Sequence, residues 1–262
     1  NKPIDDGNYL FTEDEMRDFI KKEPKSEKYF RKWLGSKEFI NGYFRYCLWL
    51  GDCTPKELLN MPECLKRVEA VRKFRLASKS KPTQKLAEKP TRFHVENMPK
   101  NNYILIPKVS SENRKYIPIG FLTPDILCSD LVFIIPNAEL YHFGILMSNV
   151  HMAFMKAVAG RLEMRYRYSK DIVYNNFPFP NPTTEQKQRI ERTAQHIIDV
   201  RAKYPDCSFA EMYGDKMYLF SDLVTAHQQN DLAVMTAYGF DKKITESECV
   251  AELMKLYQEL TK

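Results

Sequence analysis

The chain has 262 residues, enough for one large domain or two smaller ones, each burying its own core. Its 44% apolar and 28% charged residues are the composition of an ordinary globular protein, and no apolar run approaches the roughly 20 residues needed to cross a bilayer. The net charge of +6 is unevenly spread: Leu65 to Lys115 holds fourteen Lys/Arg against four Glu, whereas residues 171–262 hold ten basic against fourteen acidic groups. A basic block of this kind suits a polyanion, because each phosphate neutralised releases condensed counterions, although a solvated helix face has the same composition.

The polar start at Asn1 carries no basic segment followed by an apolar one, so no secretory signal is expected, and a chain that opens without Met reads as a piece of a longer polypeptide. Cys47, Cys53, Cys64, Cys128, Cys207 and Cys249 include no CxxC pair and match no zinc or disulfide framework. They are read as the reduced thiols of a cytoplasmic protein. His94, His142, His151, His196 and His227 are equally scattered, and no metal site is expected.

Residues 1–61 read as helical and connecting. "TEDEMRDFIKK" has Thr12 as N-cap and Glu15 three positions on, a capping box, and Pro24 ends the helix. "TPKELLNM" repeats the signal, with Thr54 as cap and Pro55 at the first helical position. After Pro62 a further helix is expected, with Leu65, Val68, Val71 and Leu76 as its inner stripe and Arg72, Lys73, Arg75 and Lys79 largely outside.

The period then changes. "NYILIPKV", "KYIPIGFL" and "DLVFIIP" are short β-branched and aromatic runs bounded by Pro, Asn and Ser, which predict strands joined by polar loops. Glu139 to Val158 returns to helix, with Phe143, Met147, Val150, Phe154 and Ala157 on a core-facing side. From Pro182 onward the pattern is helical: one helix capped by Thr183 or Thr184 and presenting Ile190, Ala194, Ile197 and Arg201, a second closing near Gly239, and a last one over "TESECVAELMKLYQEL". The expected fold class is α+β, a small central sheet flanked by helices over residues 62–181, preceded by the connector and followed by a helical subdomain over 182–262.

The sequence lacks the motifs that most catalytic chemistries require. "NNFPFP" (Asn175 to Pro180) approaches the Asn/Asp-Pro-Pro-aromatic grip of amino-methyltransferases, but its prolines are separated and the grip has the wrong geometry. A turn before Pro178 is the simpler reading of Asn175 and Asn176. There is no GxG loop for S-adenosylmethionine or a dinucleotide, no GxSxG elbow and no Walker loop. Asp6, Glu23 and Lys25 imitate the Asp…Glu-x-Lys set of Mg²⁺-dependent nucleases, but that triplet belongs on a strand, and Pro24 places it at a helix end.

Four segments, "GSKEFINGYFRYCLWL", "PKVSSENRKYIPIGFL", "PNAELYHFGILMSNVHMAFMKAVAGRLEMRYRYSKDIVYNNFPFP" and "AHQQNDLAVMTAYGF", agree in order and spacing with a known pattern. They resemble the C-terminal region of MmeI-like, type IIL (IIG-class) restriction-modification enzymes. In that family one polypeptide carries a nuclease, a helical spacer, an N6-adenine methyltransferase, a target-recognition domain and a helical C-terminal segment. The resemblance implies that this chain is the specificity module, with double-stranded DNA and the methyltransferase domain of the same polypeptide as its partners and no membrane. S-adenosylmethionine and Mg²⁺ would then belong to the parent enzyme's other domains, and this chain would hold no cofactor.

The candidate DNA-binding residues fall in three clusters. Arg72, Lys73, Arg75, Lys79 and Lys81 supply positive charge for phosphates. Ser110, Ser111, Glu112, Asn113, Arg114 and Lys115 crowd one loop with donors, acceptors and charge together: Arg114 suits guanine, Asn113 adenine and Glu112 cytosine. The same composition also suits an ordinary hairpin connection. Arg161, Arg165, Arg167, Tyr168, Ser169 and Lys170 form the third cluster, with Tyr166 among them, offering charge and hydroxyls to backbone or base edge. A catalytic nuclease and a helical scaffold for an acidic protein partner are the rival readings from other classes.

Overall fold

The computed structural model describes residues 1–261 and is α+β. In chain order its elements begin with β1 (Leu10–Phe11), α1 (Glu13–Lys22), β2 (Phe30–Leu34), α2 (Ser36–Asn41), β3 (Arg45–Leu48), α3 (Pro55–Leu59), α4 (Pro62–Leu76) and α5 (Lys81–Lys85). They continue with β4 (Tyr103–Pro107), β5 (Val109–Ser110), β6 (Gly120–Leu122), β7 (Ile126–Cys128), β8 (Val132–Pro136), α6 (Leu140–Leu146) and α7 (Asn149–Val158). The last are β9 (Gly160–Leu162), β10 (Arg165–Arg167), α8 (Thr184–Arg201), α9 (Phe209–Met212), α10 (Ser221–Tyr238) and α11 (Glu246–Leu260).

The chain divides into two compact units. One comprises Asn1–Phe39, Tyr43–Lys100 and Thr123–Asp130; the other comprises Ile40–Gly42, Asn101–Leu122 and Leu131–Lys262. The basic block of the sequence is therefore divided between the two units after Lys100.

In the first unit, four strands in the order β1-β3-β2-β7 form a sheet, antiparallel except for the parallel β2–β7 pair. Residues 1–61 thus contain three strands as well as helices. Aromatic residues such as Trp33, Trp49 and Phe11, buried among one another, hold this region as a core in its own right. The capping signals are realised: the Thr12 Oγ accepts from the Glu15 backbone N–H at 3.3 Å while Glu15 accepts from the Thr12 N–H at 2.7 Å, and Thr54 with Glu57 does the same.

α4 departs from the expected stripe. Its buried residues are Cys64, Val68, Val71 and Arg75, spaced four, three and four apart as one helical face requires, whereas Leu76 lies about a quarter-turn away and is 47% exposed. Arg75 is fully buried and donates to five backbone carbonyls: Ile4 at 2.9, Pro3 at 2.9, Leu86 at 3.0, Lys89 at 3.2 and Arg92 at 2.8 Å. A guanidinium has five N–H donors and no acceptor, so this set satisfies it completely. Arg75 therefore ties the N-terminal segment and residues 86–92 to α4, and it is not a DNA ligand.

The second unit holds two small sheets where a single one was expected. β6-β4-β8 is antiparallel and forms the floor of the core, with Ile104 and Ile106 inward; β5-β10-β9 is a separate three-stranded sheet. The span from Glu139 to Val158 is two helices, because Ser148 interrupts it and caps α7 by accepting from the His151 N–H at 3.2 Å. Phe143, Met147, Val150 and Phe154 are buried as expected, but Ala157 is exposed.

The C-terminal helices share this core. α8 buries Ile190, Ala194, Ile197, Val200 and Arg201, and α10 buries Leu223, Ala226, His227, Asn230, Asp231, Ala233, Val234 and Met235. Gly144 lets α6 approach them, since a Cβ there would stand 2.6 Å from Ile190 Cγ2, and the Gly144 carbonyl accepts from Asn230 Nδ2 at 2.7 Å. Gly239 ends α10 with φ of 72°.

Replacing Arg75 should expose how much of the first unit hangs on one side chain. Arg75→Lys offers three donors in a different geometry and should lower unfolding free energy by about 2–4 kcal/mol, while Arg72→Ala on the exposed face should stay within about 0.5 kcal/mol. Urea denaturation of the two variants checks this; equal midpoints would remove the structural role assigned to Arg75.

Candidate nucleic-acid interface

The sequence "GRLEMRYRYS" alternates charge and aromatic over its second half, and a strand sends alternate side chains to opposite faces. In β10 this turns Tyr166 inward, 7% exposed, and leaves Arg165 and Arg167 outside; Tyr168, next in the alternation, is 3% exposed. β10 is the central strand of its sheet. It pairs with β9 through Arg165↔Leu162, Tyr166↔Arg161 and Arg167↔Gly160, and with β5 through Tyr166↔Ser110 and Arg167↔Val109. Two clusters some 50 residues apart in the sequence are joined in this way. The Ser110 to Lys115 segment leaves β5 beside the strand that carries Arg165 and Arg167.

The β9–β10 hairpin turns on Glu163 and Met164. Glu163 has φ of 56°, in the left-handed region where hairpin turns normally place glycine, and Oε2 of Glu163 accepts from Arg165 Nη2 at 2.6 Å. Leu162 is 42% and Met164 70% exposed at the same tip. Arg161, also exposed, lays its guanidinium 3.8 Å over the Tyr166 ring. The hairpin thus presents three arginines, a carboxylate and two apolar side chains. Side-chain type alone does not single out Glu163; its signal in the sequence is its place between Arg161 and Arg165.

In the loop after β5, Arg114 N–H donates to the Ser111 carbonyl and Asn113 N–H to Ser111 Oγ, both at 3.3 Å. Arg114 Nη1 donates to Ser110 Oγ at 3.3 Å, and its half-buried guanidinium keeps Nε without a partner. Burial lowers the Arg114 pKa, opposed by the charge of Asp215. Asn113 and Lys115 are exposed, and Ser111 and Glu112 half-buried.

Three of the expected ligands in this unit have other duties. Ser110 is 2% exposed within its sheet. The Tyr168 hydroxyl lies 3.0 Å from His151 Nε2, while His151 Nδ1 lies 3.0 Å from the Leu146 carbonyl. A carbonyl only accepts, so Nδ1 carries the proton and Tyr168 donates to Nε2. Burial lowers the His151 pKa to about 4 and raises that of Tyr168 well above its ordinary range. The Ser169 hydroxyl oxygen caps the turn Lys170–Tyr174 by accepting from the Ile172 N–H at 3.3 Å. Lys170 remains exposed, 3.6 Å from Asp171.

Asn175 and Asn176 form the turn before Pro178, and Phe177 anchors it in the core against His151 and Phe154. In the other unit Arg72, Lys73, Lys79 and Lys81 are exposed. There too, Glu23 lies at the end of α1 and accepts from the Glu63 N–H at 3.1 Å, with Asp6 exposed. Among the described residues no three His, Cys, Asp or Glu side chains converge to hold a metal ion, and no helix is long and apolar enough to cross a membrane.

Residues 1–181 match the family model of the MmeI target recognition domain and residues 182–262 that of the MmeI C-terminal domain. The chain belongs to the MmeI family, of which it carries these two domains. It is 41% identical over 261 residues to DNA methyltransferase A of Bacillus subtilis (strain 168), a match covering 100% of this chain and 30% of that protein. The solved structure of the type IIL restriction-modification enzyme MmeI in complex with DNA is 45% identical with a TM-score of 0.96, covering 100% of this chain and 35% of that one. The chain thus spans about a third of the length of these relatives.

The buried acid beside the loop gives a pH prediction. Burial pushes the Asp231 carboxyl up to about 6, against the hydrogen bonds from Tyr116 and from the Asn149 N–H and the charge of Lys115. A raised folded-state pKa favours the protonated form, so its contribution is complete at low pH and is lost as pH rises from about 4 through 6. Asp231→Asn, which does not titrate, should gain on the parent by roughly 3 kcal/mol across that window and then run parallel to it. Urea midpoints of both proteins between pH 4 and 8 read this directly; a constant offset would mean that Asp231 keeps an ordinary pKa.

Proposed function

We propose that this chain is the sequence-specific double-stranded DNA recognition module of a bifunctional restriction-modification protein, directing an N6-adenine methyltransferase and an endonuclease in the same polypeptide. The observation that carries the reading is the β5-β10-β9 sheet, which unites the Glu112–Asn113–Arg114 loop with the arginine hairpin. A two-stranded ribbon fits the major groove, where arginine reads guanine through O6 and N7 and a carboxylate accepts from cytosine N4. The strained turn that holds Glu163 beside Arg165 is the kind of local cost retained where geometry serves recognition. Exposed Arg72, Lys73, Lys79, Lys81 and Lys170 supply phosphate contacts, which fix register and carry no sequence.

The reading also rests on family membership and on a MmeI relative solved with DNA. Its partners are duplex DNA and the methyltransferase domain, in the cytoplasm where the genome lies. S-adenosylmethionine and Mg²⁺ serve the catalytic domains on this reading, and no GxG loop is present in this chain to hold the former.

The two kinds of contact fail differently. Arg72, Lys73 and Lys79 changed together to Ala should flatten the dependence of log affinity on log salt by about 0.9 per lost phosphate contact, with base preference unaltered. Glu163→Gly and Arg165→Ala should change the base accepted at one position of the site, and Glu163→Gly should leave folding stability within about 1 kcal/mol because glycine relieves the positive φ. Anisotropy titrations over a salt series, and sequencing of modified adenines in cells expressing each variant, give the two readouts. Hairpin variants that lose methylation uniformly at the original motif would take base reading away from the hairpin.

A further inference from the structure

The loop that begins at Ser111 is fixed at its two ends by different means. Its start belongs to β5, paired with β10. Its end has no strand pairing until β6 at Gly120, and side chains from α8 and α10 hold it instead. Tyr116, the residue after Lys115, is 1% exposed and donates its hydroxyl proton to Asp231 Oδ2 at 2.6 Å, while Asp231 Oδ1 accepts from the Asn149 N–H at 2.8 Å at the start of α7. The Tyr116 ring stacks on His227 with centroids 4.1 Å apart. Three residues on, the Ile119 carbonyl accepts from Arg201 Nη1 at 2.8 Å.

These groups form one directed network. Arginine only donates, so Arg201 Nε–H goes to the Tyr213 oxygen at 2.6 Å, and the Tyr213 proton is left for His227 Nε2 at 2.9 Å. His227 in turn supports the Tyr116 ring. Hydrogen bonds to charged groups are short and directional, so these bonds hold the end of the loop in one geometry, although His227 Nδ1 is buried without a hydrogen-bond partner. An apolar pair would fill the Tyr116–Asp231 space at similar stability, but it would not fix the rotation of the chain that carries Glu112, Asn113 and Arg114.

We propose that Asp231 and Arg201, on the helices of the C-terminal domain, are positioning residues for base reading, which clamp the Glu112–Arg114 loop through Tyr116 and Ile119 and thereby set its base preference. The proposal rests on that loop being a reader. The C-terminal domain is on this view part of the specificity apparatus, coupled to the recognition domain side chain by side chain.

The test is selection from a randomised duplex DNA library, bound by the intact polypeptide that carries this chain and then sequenced. Tyr116→Phe and Asp231→Ala should lower discrimination about tenfold at the position that Glu112→Ala, Asn113→Ala or Arg114→Ala alters. The position altered by Arg165→Ala and the salt slope should stay as in the parent. Asp231→Asn, which keeps the shape and a hydrogen bond to Tyr116, should restore the parental profile. Tyr116→Phe with Asp231→Leu guards against a folding defect: this apolar pair should melt near the parental temperature and still misread. Parental discrimination in the folded double variant, or a loss of affinity uniform across all sequences, overturns the proposal. If the three loop variants themselves leave the profile unchanged, the loop is not a reader; if they alter it and the Tyr116 and Asp231 variants do not, the clamp alone is wrong.

Discussion

The alternation of Arg165, Tyr166, Arg167 and Tyr168 is the constraint on which the proposed interface depends. Two tyrosines turned into the core and two arginines turned to solvent leave β10 one register, since a slip of one residue would bury both guanidinium groups. That register in turn sets the partners: Ser110 stands opposite Tyr166 on one side and Arg161 on the other. The same side chains that secure the strand thus decide what the strand presents.

Each unit also contains a buried arginine used as a tie. Arg75 meets five backbone carbonyls, and Arg201 meets one carbonyl, a tyrosine oxygen and Met147 Sδ, with its guanidinium 4.8–5.3 Å from the Phe143, Phe209 and Tyr213 rings. Neither is in an ion pair within 4.0 Å among the described residues. Burying a charge without a counter-charge is costly unless its donors are satisfied, and carbonyl dipoles do this for Arg75. The result is directional: several chain segments are held at one point and at fixed angles, where an apolar residue would fill the volume without fixing them.

The family boundary between residues 181 and 182 is not a boundary of packing. Residues from both sides share one core, including Ile104, Phe143, Tyr166, Ile190, Val234 and Leu253. Gly144 against Ile190 and the Asn230 bond to the Gly144 carbonyl show how closely the two parts approach. The C-terminal helices therefore complete the hydrophobic core of the recognition sheets, because three-stranded sheets of this size bury too little by themselves.

What the sequence determined by itself was local. Caps at Thr12, Thr54 and Thr183, the glycine stop at Gly239, the strands around Ile104, Phe121 and Ile134, and the turn at Asn175 follow from hydrogen bonding and periodicity within a few residues. The resemblance carried by four ordered segments was legible too, because family likeness is a property of the string. The sequence did not show that β7 pairs with β2, that Arg75 points inward while Leu76 points out, or that Tyr168 gives its hydroxyl to His151. Side-chain type alone assigned Arg75 and Tyr168 to DNA, although the spacing of Cys64, Val68 and Val71 already placed position 75 on the inner face. Only the tertiary structure decided which polar groups remain free, since that depends on donors and acceptors tens of residues away. It alone brought the loop and the hairpin onto one sheet, because strand pairing is a contact between distant segments that no local window contains.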